Sequence, residues 1–74
     1  MTDRLIRVFI NASGVDVPAG STALEAVRAF DTSAAAGVEA GERLITDSRG
    51  LAIDAASPMS AGSILRLIAN RERA

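Results

Sequence analysis

Residues 15–30, VDVPAGSTALEAVRAF, carry the reading that decides the fold. Val15-Asp16-Val17 alternates apolar and polar side chains as a short strand does. Pro18, which has no amide hydrogen for a ladder, ends that strand, and Pro18-Ala19-Gly20 forms a loop. Thr22-Ala23-Leu24-Glu25 then has the chemistry of a helix start. The Thr22 hydroxyl can accept from the Glu25 amide, and the Glu25 carboxylate can reach back to the Thr22 amide. Leu24, Val27 and Phe30 recur on one side at helical spacing, with Glu25 and Arg28 on the flank, and the helix runs to about Phe30 or Asp31. A strand therefore feeds a helix through a short loop.

Working outward, residues 4–11 (RLIRVFIN) read as a strand rich in β-branched residues. Alternation assigns Ile6, Val8 and Ile10 to the core and Leu5, Arg7 and Phe9 to the other face. Ala12-Ser13-Gly14 is the expected turn, so this strand and residues 15–17 form a hairpin. Downstream, residues 33–40 (SAAAGVEA) suggest a second short helix, with Gly37 costing about 1 kcal/mol relative to alanine. Residues 43–47 (RLITD) read as a third strand, Asp47-Ser48-Arg49-Gly50 as a turn, and Leu51-Ala52-Ile53 as a short fourth strand. After a connector holding Pro58 and Gly62, residues 63–70 (SILRLIAN) form the last strand. There Leu65, Leu67 and Ala69 face inward and Ile64, Arg66 and Ile68 outward. The order β-β-α-(α)-β-β-β predicts a single α+β domain spanning residues 1–74, a mixed sheet of four to five strands curled across one main helix. Its expected core is Ile6, Val8, Ile10, Val15, Val17, Leu24, Val27, Phe30, Leu44, Leu65 and Leu67. Residues 71–74 are expected to be a polar tail.

Composition narrows the function. A chain of 74 residues is one domain that buries only about 60% of its unfolded surface. It lacks cysteine, histidine and lysine. A disulfide, a thiolate nucleophile, an imidazole base, a Schiff base and a phosphate-loop lysine are thereby excluded. No cofactor or metal is expected. With eight basic residues, all arginine, against nine acidic ones, the net charge is −1, which argues against nucleic acid or an anionic membrane as partner. The apolar stretch at Leu5–Ile10 is too short and too polar for a signal or spanning segment, so a cytoplasmic protein is expected.

Three local stretches resemble a known family. Val15-Asp16-Val17-Pro18-Ala19-Gly20-Ser21-Thr22 resembles the hairpin-to-helix passage of the ThiS/MoaD-type sulfur carriers, small proteins of the β-grasp (ubiquitin-like) fold. Residues 58–67 (PMSAGSILRL) resemble the same family's approach to its last strand, and Arg43-Leu44-Ile45 resembles the third strand of ubiquitin. The resemblance implies a β-grasp fold of order β-β-α-β-β-β, more strongly than it implies a function. In the carriers a partner enzyme adenylates a C-terminal Gly-Gly before sulfur transfer. At the corresponding place this chain has Arg73-Ala74, where the arginine side chain is foreign to a narrow channel.

Two functional expectations follow. The first is a non-enzymatic protein-interaction module using an outer-face patch of Ile45, Arg66 and Ile68, with Ile45 and Ile68 side by side as in ubiquitin-like recognition surfaces. The second is a sulfur carrier acting as co-substrate of an adenylating enzyme through the tail at Arg73 and Ala74. The expected partner is another protein, the chain itself being a monomer or weak homodimer. Arg4, Arg7, Arg66, Arg71 and Arg73 form a basic cluster, with Arg7 and Arg66 expected close together. It reads as a solvated charge face balanced by Asp3, Asp16 and Glu72 rather than an anion or RNA site. Asp47–Gly50 reads as a plain turn needing Gly50 at positive φ, and Thr22 and Glu25 as a helix cap.

Overall fold

The computed structural model describes residues 4–70. Four strands and two helices follow one another as β1 (Leu5–Ile10), β2 (Ser13–Pro18), α1 (Ala23–Phe30), α2 (Thr32–Glu39), β3 (Arg43–Thr46) and β4 (Ile64–Ala69). The strands form one mixed sheet of order β2-β1-β4-β3. The outer pairs are antiparallel and the central pair, β1 with β4, is parallel. Parallel neighbours need a long crossover, and here it contains β2, both helices and β3. The fold is α+β with both helices on one face of the sheet.

β1 and β2 pair continuously from Leu5↔Pro18 to Ile10↔Ser13. The turn between them is Asn11-Ala12, with φ of 50° and 71°, and not the expected Ala12-Ser13-Gly14. Two consecutive positive φ values match the right-handed twist of the flanking strands, which favours this tight connection. Gly14 thus lies within β2. A Cβ there would come within 3.3 Å of Arg7 Cδ and 3.5 Å of Phe9 Cε1, so the missing side chain makes room for its cross-strand neighbours rather than for a bend.

The Thr22 cap forms as the sequence predicts: the Glu25 amide donates to the Thr22 hydroxyl at 3.2 Å and the Thr22 amide donates to the Glu25 carboxylate at 2.7 Å. α1 buries Ala23, Ala26 and Val27 completely, while Leu24 and Phe30 lie half-buried at the margin. The small alanines bring the helix backbone close to the sheet, so fewer large side chains are needed to fill the gap. Asp31 ends α1 and caps α2, its carboxylate accepting the Ser33 amide at 2.9 Å. Arg28 of α1 and Glu39 of α2 are joined by an ion pair at 3.2 Å. Gly37 has a packing reason: a Cβ would meet Arg43 Cδ at 3.2 Å, so the arginine stem lies across α2.

The core consists of Val8, Ile10, Val17, Ala23, Ala26, Val27, Ala34, Ala35, Ile45 and Leu65, with Ile6, Val15 and Leu67 packed against it. Leu44, expected inside, is instead half-buried on the opposite side of β3 from Ile45. The stretch Arg43-Leu44-Ile45 has two adjacent apolar residues, so alternation fits either parity. Arg43 settles it by laying its stem on α2, which turns Ile45 inward with it. The expected fourth strand at 51–53 is not a strand. It makes one bridge, Thr46↔Ala52, and two backbone bonds, Ile53 amide to Ile45 carbonyl and Asp47 amide to Leu51 carbonyl, each 2.9 Å. Residues 55–59 then run along the start of α1, where Ala23, Leu24 and Met59 amides donate to Ser57, Ala55 and Ser21 carbonyls. Among the described residues no helix is long and apolar enough to cross a membrane.

Candidate functional site

With both helices on one side, the other face of the sheet carries side chains that no element covers. Period-two alternation sends Leu5, Arg7 and Phe9 of β1 and Ile64, Arg66 and Ile68 of β4 to that outer face. Register sets their neighbours. Phe9 lies between Gly14 of β2 and Ile64 of β4, and Ile68 pairs with Leu44 of β3. Leu5 is 61% exposed, Ile64 50% and Ile68 44%. These are large aliphatic side chains left in water on the same face of the sheet.

Ile45 does not belong to this face. It is 2% exposed, pairs with Leu67 and lies in the core. The expected adjacency of Ile45 and Ile68 is replaced by Leu44 and Ile68, a one-residue change of parity that exchanges the two faces of β3. Arg66 and Ile68 stand where the sequence puts them. The same alternation places Phe9 and Ile64 on the outer face, although the expected patch does not include them. The signal that joins them is the parallel pairing of β1 with β4, which single-strand periodicity does not contain. Arg73 and Ala74 lie outside the described residues.

The basic cluster is dispersed. Arg7 Nε donates to Asp16 Oδ1 at 2.9 Å, and Arg7 Nη2 to Asp16 Oδ2 at 3.2 Å, a two-pronged pair. The Arg7 hydrogen bond holds the Asp16 carboxyl below its usual range and raises the guanidinium in turn. Arg7 and Arg66 are not neighbours. The Arg7 carbonyl takes the Gly62 amide at 2.7 Å, whereas Arg66 lies two rows on, beside Thr46 and level with the β1–β2 turn. Among the described residues Arg66 has no carboxylate partner. It borders a shallow hollow of about 340 Å³ with Asn11, Ala12, Ile64 and Leu65. A second hollow of about 390 Å³ lies on the other side of Ile64, toward Asp47–Arg49 and Met59. Ile64 is thus an apolar ridge between two depressions, one edged by Arg66.

The Asp47–Gly50 loop is self-contained. Asp47 Oδ1 accepts the amides of Arg49 at 2.8 Å and Leu51 at 3.0 Å, and Gly50 sits at φ 85°. The Leu51 amide, then the Arg49 amide, hold the Asp47 carboxyl low. With its acceptor oxygen occupied by the backbone, Asp47 does the work of a turn. Among the described residues no cluster of acidic side chains could hold a metal ion. No family model matches the chain, and neither does any curated protein or solved structure.

Proposed function

We propose that the protein is a non-enzymatic β-grasp interaction module that binds another protein through the outer face of its sheet. One observation carries this reading. Phe9, Ile64, Ile68 and Leu44 flank Arg66, a cation with no carboxylate partner among the described residues, on the face of the sheet opposite the helices, where Ile64 and Ile68 stay half in water. Apolar centres edged by arginine are what well-packed protein interfaces use: the aliphatic area supplies the hydrophobic drive, and the guanidinium selects a partner with a placed carboxylate or carbonyl. The β-grasp assignment is supported by the sheet order β2-β1-β4-β3, its parallel central pair, and a helix entered directly from the first hairpin.

The test is affinity capture from cells that encode the chain, followed by binding measurements with the purified partner. Ile64→Asp and Ile68→Asp should each abolish binding and leave the thermal midpoint close to that of the parent, since both residues are already half in water. Arg66→Ala should weaken binding by about tenfold or more. A partner that binds all three variants as tightly as the parent would remove the outer face as the site.

A further inference from the structure

The two edges of the sheet differ. The β3 edge is covered at its C-terminal end: Ile45 carbonyl accepts the Ile53 amide, Asp47 amide meets the Leu51 carbonyl, and Ala52 bridges Thr46. The β2 edge is open. β1 directs its backbone at residues 7, 9 and 11 toward β4, through Gly62 amide to Arg7 carbonyl at 2.7 Å, Phe9 amide to Ser63 carbonyl at 2.8 Å and Asn11 amide to Leu65 carbonyl at 3.1 Å. Its residues 6, 8 and 10 therefore face β2, where they pair with Val17, Val15 and Ser13. The amides and carbonyls of Gly14 and Asp16 are left pointing away from the sheet. The next outward carbonyl, of Pro18, is occupied by the Ser21 amide at 3.0 Å and the Ser21 hydroxyl at 2.6 Å. Among the described residues nothing meets the groups of Gly14 and Asp16. The edge has no bulge and no lysine, its proline comes only at the end, and its one charged side chain, Asp16, is already paired with Arg7.

We propose that this edge pairs antiparallel with β2 of a second copy, with Val15 opposite Val15 of the partner subunit. Three two-fold registers bring the outward groups together. One sets Asp16 against Asp16 of the partner subunit, a like-charge contact. Another sets Gly14 against Gly14 of the partner subunit and leaves Asp16 facing the turn. The third sets Gly14 against Asp16 of the partner subunit and the reverse, which uses every outward amide and carbonyl of both residues in four hydrogen bonds. Charge favours this third register. It brings Asp16 of the partner subunit beside Gly14, the position over which the Arg7 side chain lies, with Arg7 Cδ 3.3 Å and Nε 3.7 Å from the place a Cβ would take. Arg7, already 2.9 Å from its own Asp16, then stands between two carboxylates. The result is an eight-stranded sheet that leaves Ile64, Arg66 and Ile68 free.

The absence of cysteine from the chain makes the register directly measurable. Non-hydrogen-bonded antiparallel partners hold their Cα atoms about 4.5 Å apart, within the disulfide range of about 4.4–6.8 Å. Val15→Cys should therefore crosslink to a dimer on mild oxidation, while Ala19→Cys, beyond the paired stretch, should stay largely uncrosslinked at the same concentration. Sedimentation of the parent should show dimer growing toward millimolar concentration. Gly14→Pro removes one outward amide per copy without touching the β1 ladder and should weaken association by about tenfold or more. Asp16→Arg should abolish the dimer, and the exchange Arg7→Asp with Asp16→Arg should restore it. A parent that stays monomeric at millimolar concentration, a dimer indifferent to Gly14→Pro, a dimer lost with Ile64→Asp, or equal crosslinking of the two cysteine variants would each overturn the proposal. If Gly14→Pro does not fold, the crosslinking comparison decides alone.

Discussion

The side chain of Asn11 accepts the backbone amide of Leu67 at 3.1 Å, across 56 residues of sequence. Asn11 also donates its own amide to the Leu65 carbonyl at 3.1 Å. One turn residue thus extends the parallel pairing of β1 and β4 beyond the last backbone pair of the ladder and holds the register that brings Phe9 beside Ile64. Its φ of 50° suits asparagine, and suits glycine better. Asn11→Gly should nevertheless destabilise the protein by about 1 kcal/mol, because the Leu67 amide loses its acceptor. Urea unfolding with an unchanged slope checks this. A neutral or stabilising result would mean that the contact contributes nothing.

Ala12, the second turn residue, has φ 71°. An L-residue with a Cβ is strained there by about 1–2 kcal/mol, and Asn-Gly is the pairing this turn prefers. Ala12→Gly should therefore raise stability by about 0.5–1 kcal/mol after the added freedom of the unfolded chain is subtracted. The check is a higher denaturation midpoint with unchanged cross-strand contacts in the hairpin.

Thr46 is 1% exposed and its hydroxyl has no hydrogen-bond partner among the described residues. A buried hydroxyl stripped of water without compensation costs about 1–3 kcal/mol. Thr46→Val keeps the β-branched shape suited to a strand and deletes the unpaired oxygen, so it should stabilise the fold by about 1 kcal/mol or more. Calorimetry reads the outcome directly, and a destabilised variant would show that the hydroxyl is paired in solution.

Asp16 and Asp47 both carry carboxyls held below the ordinary aspartate value of 3.8, by the Arg7 hydrogen bond and by the Leu51 and Arg49 amides respectively. A depressed carboxyl stabilises the fold above its unfolded value, and that contribution disappears as pH falls through the folded value. Stability should hold from neutral pH down to about 4 and then decline as acid protonates both groups. Asp47→Asn retains a carbonyl oxygen for the two amides but cannot titrate. Its stability should be slightly lower at pH 7 and flatter below pH 4. Denaturation midpoints measured across that range test the difference in slope.

Much of this was legible in the chain. The Thr22–Glu25 cap, the length of α1, the second helix around Gly37, the core parity of Ile6, Val8 and Ile10, and the outward set Ile64, Arg66 and Ile68 all follow from local chemistry. Each is decided within one turn of helix or one strand, where side-chain spacing and backbone hydrogen bonding act directly. The turn was not legible: Gly14 reads as a turn residue in sequence, whereas its missing side chain makes room for Arg7 and Phe9 of β1, a cross-strand cause outside the segment.

Local chemistry along the chain is enough to specify an α+β protein of short strands and small helices, without the side chains that thiol, imidazole or lysine chemistry requires. Which residues meet is set by packing between elements. Ile45 turned inward and Leu44 outward because the Arg43 stem packs on α2, the helix that precedes β3. Arg7 separated from Arg66, and Phe9 joined Ile64, because the parallel register of β1 and β4 sets rows that neither strand encodes alone. Periodicity fixes a face within an element; only contact between elements chooses its neighbours.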